Sequence, residues 1–201
     1  MLDPFYMIVD SSTWLERLLP CGVKLVQLRI KDKSDAEVRA EIAKGQALCA
    51  KYGCQLVIND YWHIALDLNC DYIHLGQEDI ENADLKALSK AGVKLGISTH
   101  SESELEMALA CNPDYVALGP IYPTILKQMP FGPQGLAKLG EWRKRIGTLP
   151  LVGIGGLSVE RGVAVLTAGA DCAAAVTDIT LNANPEARAR EWVAATRRFL
   201  I

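Results

Sequence analysis

Residues Leu56–Asp79 read LVINDYWHIALDLNCDYIHLGQED. Two short apolar runs, Leu56-Val57-Ile58 and Tyr72-Ile73-His74-Leu75, stop abruptly in polar residues, Asn59-Asp60 and Gly76-Gln77-Glu78-Asp79. Between them, Trp62 to Leu68 carries apolar residues at helical spacing. The stretch predicts strand, helix, strand, with a carboxylate just past the C-terminal end of each strand. Parallel strands in such a unit point the same way, so Asp60 and Asp79 arrive at one edge of the sheet. Two carboxylates with neighbouring amides, Asn59 and Gln77, suit a hard divalent cation that also holds phosphate oxygens, the usual setting of Mg²⁺. Taken alone, each aspartate reads more simply as a helix cap or a solvated turn residue.

The same alternation continues on both sides. Phe5–Val9 is an apolar run ended by the cap cluster Asp10-Ser11-Ser12, with a helix to about Leu19 before Pro20 and Gly22. Lys24–Leu28 predicts the second strand, and Ser34-Asp35 opens a long helix to about Tyr52, closed by Gly53. Beyond the opening stretch, the pattern predicts a helix over Asn82–Ala91, a strand over Lys94–Ile97, a helix from Ser101 to about Cys111 and a strand over Tyr115–Leu118. A proline-punctuated loop, Gly119–Pro133, leads to a helix over Gly135–Ile146 and a strand over Leu151–Ile154. A helix from Ser158, a strand over Cys172–Val176 and a last helix from Pro185 complete the chain. Eight strand–helix alternations with continuous apolar strands predict an all-parallel sheet covered on both faces. Eight is the closure number, so the expected fold is a single (β/α)8 TIM barrel spanning residues 1–201, with an open doubly wound sheet as the alternative.

Bulk properties narrow the function. The 201 residues are 50% hydrophobic and 22% charged with a net charge of −3, and the basic residues form no dense run. That composition argues against nucleic acid or an anionic membrane as the main partner. No apolar run is long enough to span a bilayer, and the first ten residues do not read as an export signal. Six scattered cysteines without C-x-x-C pairs read as reduced thiols, and three histidines lack zinc-ligand spacing. The expectation is a cytoplasmic protein, with a homo-oligomer left open.

In this fold the chemistry sits at the C-terminal ends of the strands. Gln27, Arg29 and Lys31 alternate with Leu28 and Ile30 at the end of the second strand, so the three polar side chains share a face. Arg forks onto phosphate oxygens and Lys supplies a compact charge. Beside Asp60 and Asp79 they form a candidate diphosphate cradle, with Lys127 in the long loop as a further cation. Across the mouth, Gly155-Gly156 after the seventh strand, Val176-Thr177 after the eighth and Thr124 in the loop suggest a second phosphate subsite. No nucleophile–base set is evident. Two anion subsites without a protein nucleophile suit group transfer between two substrates, driven by positioning and charge stabilisation.

At these same strand ends the sequence resembles the thiamine phosphate synthase (thiamine-phosphate pyrophosphorylase) family along nearly its whole length. The resemblance rests on VQLRIKD (Val26–Asp32), IND (Ile58–Asp60), HLGQED (His74–Asp79), GISTHS (Gly96–Ser101), GPIYPT (Gly119–Thr124), Lys127 and GIGG (Gly153–Gly156). It implies joining of 4-amino-5-hydroxymethyl-2-methylpyrimidine diphosphate to 4-methyl-5-(2-hydroxyethyl)thiazole phosphate, free or carboxylated. The products are thiamine phosphate and diphosphate, with CO₂ if the thiazole is carboxylated. The resemblance further implies that diphosphate leaves first and the thiazole nitrogen traps a pyrimidinylmethyl cation. By resemblance, Gln27, Leu28, Arg29, Ile30, Lys31, Asn59, Ser98 and Lys127 hold the pyrimidine diphosphate, with Arg29, Lys31, Ser98 and Lys127 as its catalytic members. The resemblance assigns Asp60 and Asp79 to Mg²⁺. Thr124, Ile125, Leu126, Gly156, Val176 and Thr177 hold the thiazole phosphate.

Leu126 departs from a pattern in which many members carry a hydroxyl, and Thr177 stands where serine is frequent. The segment before Phe5 is short, so the helix that often closes the barrel bottom is expected to be missing. Two other readings compete: a thiazole tautomerase of the same pathway with His100 as acid/base, and a non-catalytic barrel binding a phosphorylated ligand. The joint presence of Arg29, Lys31, Asp60 and Asp79 counts against both. His74 and Trp62 read as packing residues.

Overall fold

The structure, a computed structural model, describes residues 2–125 and 132–200. Eight parallel strands close in sequence order into a barrel: β1 (Phe5–Val9), β2 (Leu25–Leu28), β3 (Gln55–Asn59), β4 (Tyr72–Leu75), β5 (Lys94–Thr99), β6 (Tyr115–Leu118), β7 (Leu151–Ile154) and β8 (Cys172–Ala175). The last strand pairs back onto the first through Phe5–Ala173, Tyr6–Ala174 and Met7–Ala175. The expected TIM barrel is therefore observed, and the open sheet is excluded by the β1–β8 pairing.

Helices α1 (Ser12–Leu18), α2 (Asp35–Tyr52), α3 (Trp62–Asp67), α4 (Gln77–Ile80), α5 (Leu85–Lys90), α6 (Glu102–Ala110), α7 (Gly135–Ile146), α8 (Val159–Thr167), α9 (Thr177–Thr180) and α10 (Pro185–Thr196) lie among the strands in chain order. Their ends follow from local chemistry. Ser34 and Glu37 form a reciprocal capping box at the start of α2, and Gly53 ends it in a left-handed conformation that glycine adopts without strain. Asp84, Ser101, Ser158 and Asn184 each accept a backbone N–H in the first turn of α5, α6, α8 and α10.

The strand alternation sorts side chains into two cores. Outward residues such as Met7, Leu28, Ile58, Ile73 and Val116 pack under the helices. Inward residues, among them Tyr6, Leu25, Val57, Tyr72, Tyr115, Val152 and Ala174, fill the barrel. Buried Leu2 joins this inner cluster.

Three elements differ from expectation. The helix predicted over 82–91 is the shorter α5, capped by Asp84, and an additional single-turn helix, α4, forms before it in the polar cluster after β4. β5 runs on to Thr99, which puts Ser98 and Thr99 in the strand on opposite faces: Thr99 is fully buried, taking the Trp142 indole N–H at 3.0 Å. β8 stops at Ala175, and Val176-Thr177 opens α9 instead of ending the strand. The Asp178 carboxylate accepts from Arg188 at 2.8 Å and from the Trp192 indole at 2.7 Å, which ties this short helix to α10.

Candidate active site

The mouth is built where β2, β3, β4 and β5 end. Alternation at β2 holds: Leu28 and Ile30 are buried in the outer core, which leaves only their backbone to face the mouth, while Arg29 and Lys31 are exposed. Gln27 lies deeper, buried inside the barrel, where its amide donates to the Tyr6 hydroxyl at 2.9 Å. Asn59 is also buried, at the last position of β3 in register with His74.

Asp60 follows with φ +65, a left-handed conformation uncommon for a residue other than glycine, and its N–H donates to the His74 carbonyl at 3.0 Å. That turn presents its carboxylate to Lys31, whose ammonium lies 2.5 Å from Oδ2. Asp79 comes from the first turn of α4 and accepts from the Gly76 N–H at 3.2 Å. Its carboxyl pKa is raised, first by burial and then by facing the Asp60 carboxylate. The two aspartates are thus brought together, as expected from the opening stretch, with Lys31 beside them.

Two like charges held together call for a cation, and the donor set fits Mg²⁺. Among the described residues no group of three or more His, Cys, Asp or Glu side chains is placed to hold a metal. The pair of carboxylates suits an ion that takes one or two protein ligands and fills its shell with water and substrate phosphate.

Ser98, half-buried on the inner face of β5, accepts or donates at 2.8 Å to His74 Nε2. His74 is buried, and its Nδ1 lies 2.7 Å from the Tyr115 hydroxyl, with the two rings stacked at 5.5 Å. Burial brings the imidazole pKa down to about 4; the Asp60 carboxylate opposes the shift and the Arg29 guanidinium adds to it. His74 therefore does more than pack, and together with Tyr6 and Tyr115 it is a site-adjacent residue that the motif reading missed. The available signal was polar-tipped residues at inward positions of otherwise apolar strands.

On the far side of the mouth, Gly155 and Gly156 have φ +100 and +63. A Cβ at Gly155 would lie 2.6 Å from Pro120, and one at Gly156 would lie 2.2 Å from the Pro123 carbonyl oxygen. The close approach these glycines permit is thus to the Gly119–Thr124 loop, which is docked by Ile121 and Tyr122 N–H bonds to the Ile154 and Gly155 carbonyls. Thr124, Gly156, Val176 and Thr177 are all partly exposed around this rim, and Ile125 is 81% exposed. Leu126 and Lys127 lie outside the described residues. His100 is held through its N–H and Nδ1 by the Glu104 carboxylate, at 2.6 and 2.8 Å. A cleft of about 560 Å³ at the opposite end of the barrel, lined by Lys24, Gln46, Cys49, Cys54 and Asp71, contains none of the expected site residues.

Comparison with known proteins identifies the family. A family model described as thiamine monophosphate synthase matches residues 5–179. The thiamine-phosphate synthase of Rhizobium etli is 62% identical over 195 residues, covering 97% of this chain and 96% of the relative. That of Salmonella newport is 49% identical, covering 97% and 89%. Among solved structures, a thiamine phosphate pyrophosphorylase from Pyrococcus furiosus superposes with a TM-score of 0.87 at 23% identity over 99% of this chain and 98% of its own, which speaks for the fold. With a family model across the barrel and relatives of this identity over almost its full length, the chain belongs to the thiamine-phosphate synthase family of transferases.

Proposed function

We propose that this transferase joins 4-amino-5-hydroxymethyl-2-methylpyrimidine diphosphate to 4-methyl-5-(2-hydroxyethyl)thiazole phosphate, or its carboxylated form, releasing diphosphate. The observation that carries the reading is the cluster of Lys31, Asp60 and Asp79 at adjoining strand ends, with the Lys31 ammonium 2.5 Å from Asp60. Asp60 and Asp79 would hold Mg²⁺, which supplies charge neutralisation for the departing diphosphate. Arg29 and Lys31 bind and orient that group from the other side, and the sequence resemblance adds Lys127 as a further cation. Asn59 and Gln27 line the wall beneath it.

Bond breaking comes first in this mechanism. The residues around the diphosphate stabilise the charge that develops on it, and the Ser98 hydroxyl adds a directed hydrogen bond. Thr124, Gly156, Val176 and Thr177 hold the thiazole phosphate across the mouth, with Ile125 beside them, so that the thiazole nitrogen traps the pyrimidinylmethyl cation. No protein nucleophile is needed. A thiazole tautomerase would require neither Lys31 nor the paired aspartates, and His100, its proposed base, is engaged by Glu104. All six cysteines are free, which supports a reducing, cytoplasmic setting.

The test is to mix both substrates with the purified chain, with and without Mg²⁺, and follow diphosphate and thiamine phosphate. Equimolar release of both, abolished by chelation, is expected. Diphosphate release without thiamine phosphate when both substrates are present, or turnover indifferent to exhaustive chelation, would overturn the assignment.

A further inference from the structure

Five side chains from five strands form one continuous hydrogen-bond chain through the barrel. The Gln27 amide donates to the Tyr6 hydroxyl at 2.9 Å, and the Tyr6 and Tyr115 hydroxyls are 3.1 Å apart. Tyr115 meets His74 Nδ1 at 2.7 Å, and His74 Nε2 meets Ser98 Oγ at 2.8 Å. The chain starts in the buried interior and ends at the mouth.

Its proton order follows from the donor inventory. A hydroxyl has one hydrogen to give, and a neutral imidazole has one N–H. With the Gln27 amide as donor, Tyr6 gives its hydrogen to Tyr115 and Tyr115 gives its own to Nδ1. The imidazole proton then sits on Nε2 and goes to Ser98 Oγ. Burial of the ring between two hydroxyl partners suits its neutral form. The Ser98 hydrogen is left for an acceptor outside the chain. In the reverse order Ser98 would give its hydrogen to Nε2 and turn only a lone pair toward an arriving anion.

We propose that His74 is a positioning residue, held by Tyr115 as the Nε2–H tautomer, and that it fixes Ser98 as a hydrogen-bond donor to the leaving diphosphate. The identity of that acceptor rests on the proposed function; the tautomer does not. Tyr115 and Tyr6 act through His74 and touch no reacting atom in this scheme.

Two measurements test it. In chains labelled with ¹⁵N-histidine, His63→Gln and His100→Gln leave a single imidazole. Its nitrogen shifts are expected to show a protonated Nε2 and an unprotonated Nδ1 at neutral pH; the opposite tautomer would overturn the proposal. The second is a double-substitution cycle with Tyr115→Phe and Ser98→Ala. Tyr115→Phe alone is expected to lower kcat about tenfold, the scale of one neutral hydrogen bond, without changing the thiazole-phosphate KM. In the Ser98→Ala background it should cost nothing further, whereas an equal loss in both backgrounds would show a merely structural role for Tyr115 and reject the coupling. Absence of turnover in the unsubstituted chain would reject the proposed function, and the nitrogen shifts would still decide the tautomer.

Discussion

Gly96 and Tyr115 are register partners on neighbouring strands, and a Cβ at position 96 would lie 2.1 Å from Cζ of the Tyr115 ring. On the other side Gly96 is in register with His74. The missing side chain is what lets the tyrosine swing across β5 and stack on the imidazole. Gly96→Ala is therefore expected to destabilise the fold by about 1–3 kcal/mol through overpacking and to sever the His74–Tyr115 contact. Urea unfolding measures the first effect. Stability within about 0.5 kcal/mol of the unsubstituted chain would mean the ring can move aside at little cost.

Asp79 is the destabilised member of the carboxylate pair, since burial and the facing Asp60 both raise its pKa. Asp79→Asn removes the charge but keeps an oxygen for the Gly76 N–H. The free chain is then expected to melt no lower than before, while the rise in Tm produced by Mg²⁺ with diphosphate disappears. Turnover should fall about a hundredfold or more, the scale of losing a charge-stabilising group. Melting curves of Asp60→Asn and Asp79→Asn with and without the two ligands are the check. An Mg²⁺-dependent rise that survives in both variants would place the metal elsewhere.

The barrel was legible because its strands are short apolar runs buried on both faces, each stopping at a polar cluster. The Asp60–Asp79 meeting followed from strand direction alone, with both residues near the ends of parallel neighbours β3 and β4. The short helix α4 was less visible, because it is a single turn with no apolar period to read. The hydrogen-bond chain was not legible at all. His74 and Tyr115 are 41 residues apart, and their contact depends on strand register and on the absence of a side chain at Gly96. The diglycine was read as room for a ligand; the space a side chain would take there faces Pro120 and Pro123.

Glu41, on α2, takes the Ser12 N–H at 2.6 Å and the Lys33 ammonium at 2.9 Å. Burial alone would raise its pKa, but the Ser12 hydrogen bonds and then Lys33 bring it down to about 2 from 4.5. A folded-state pKa below the unfolded one means stabilisation that is complete above about 4.5 and lost as the pH falls toward 2. Glu41→Gln is expected to cost about 1 kcal/mol at pH 7, in the range of losing a charged cap at a helix start. The difference from the unsubstituted chain should close as the pH approaches 2 to 3, as judged by urea midpoints across that range. A difference that stays constant with pH would assign the effect to packing.

The closed strand order places the two proposed subsites on opposite sides of the mouth, which makes their substrates separable by kinetics. Lys31 follows β2 and pairs with Asp60 after β3, whereas Thr124 belongs to the loop that packs on Gly156 after β7. Lys31→Gln leaves Asp60 without its partner and, under the proposed map, removes a cation from the diphosphate. It is expected to raise the pyrimidine-diphosphate KM and lower kcat, with the thiazole-phosphate KM within about twofold of its original value. Under the proposed map, Thr124→Ala removes one of several donors to the thiazole phosphate, the others being backbone N–H groups. Its effect should be confined to the thiazole-phosphate KM and stay within about tenfold. Steady-state kinetics with each substrate varied in turn distinguish the two. Impairment of only the thiazole side by Lys31→Gln would reverse the two-subsite map, even with the family assignment intact.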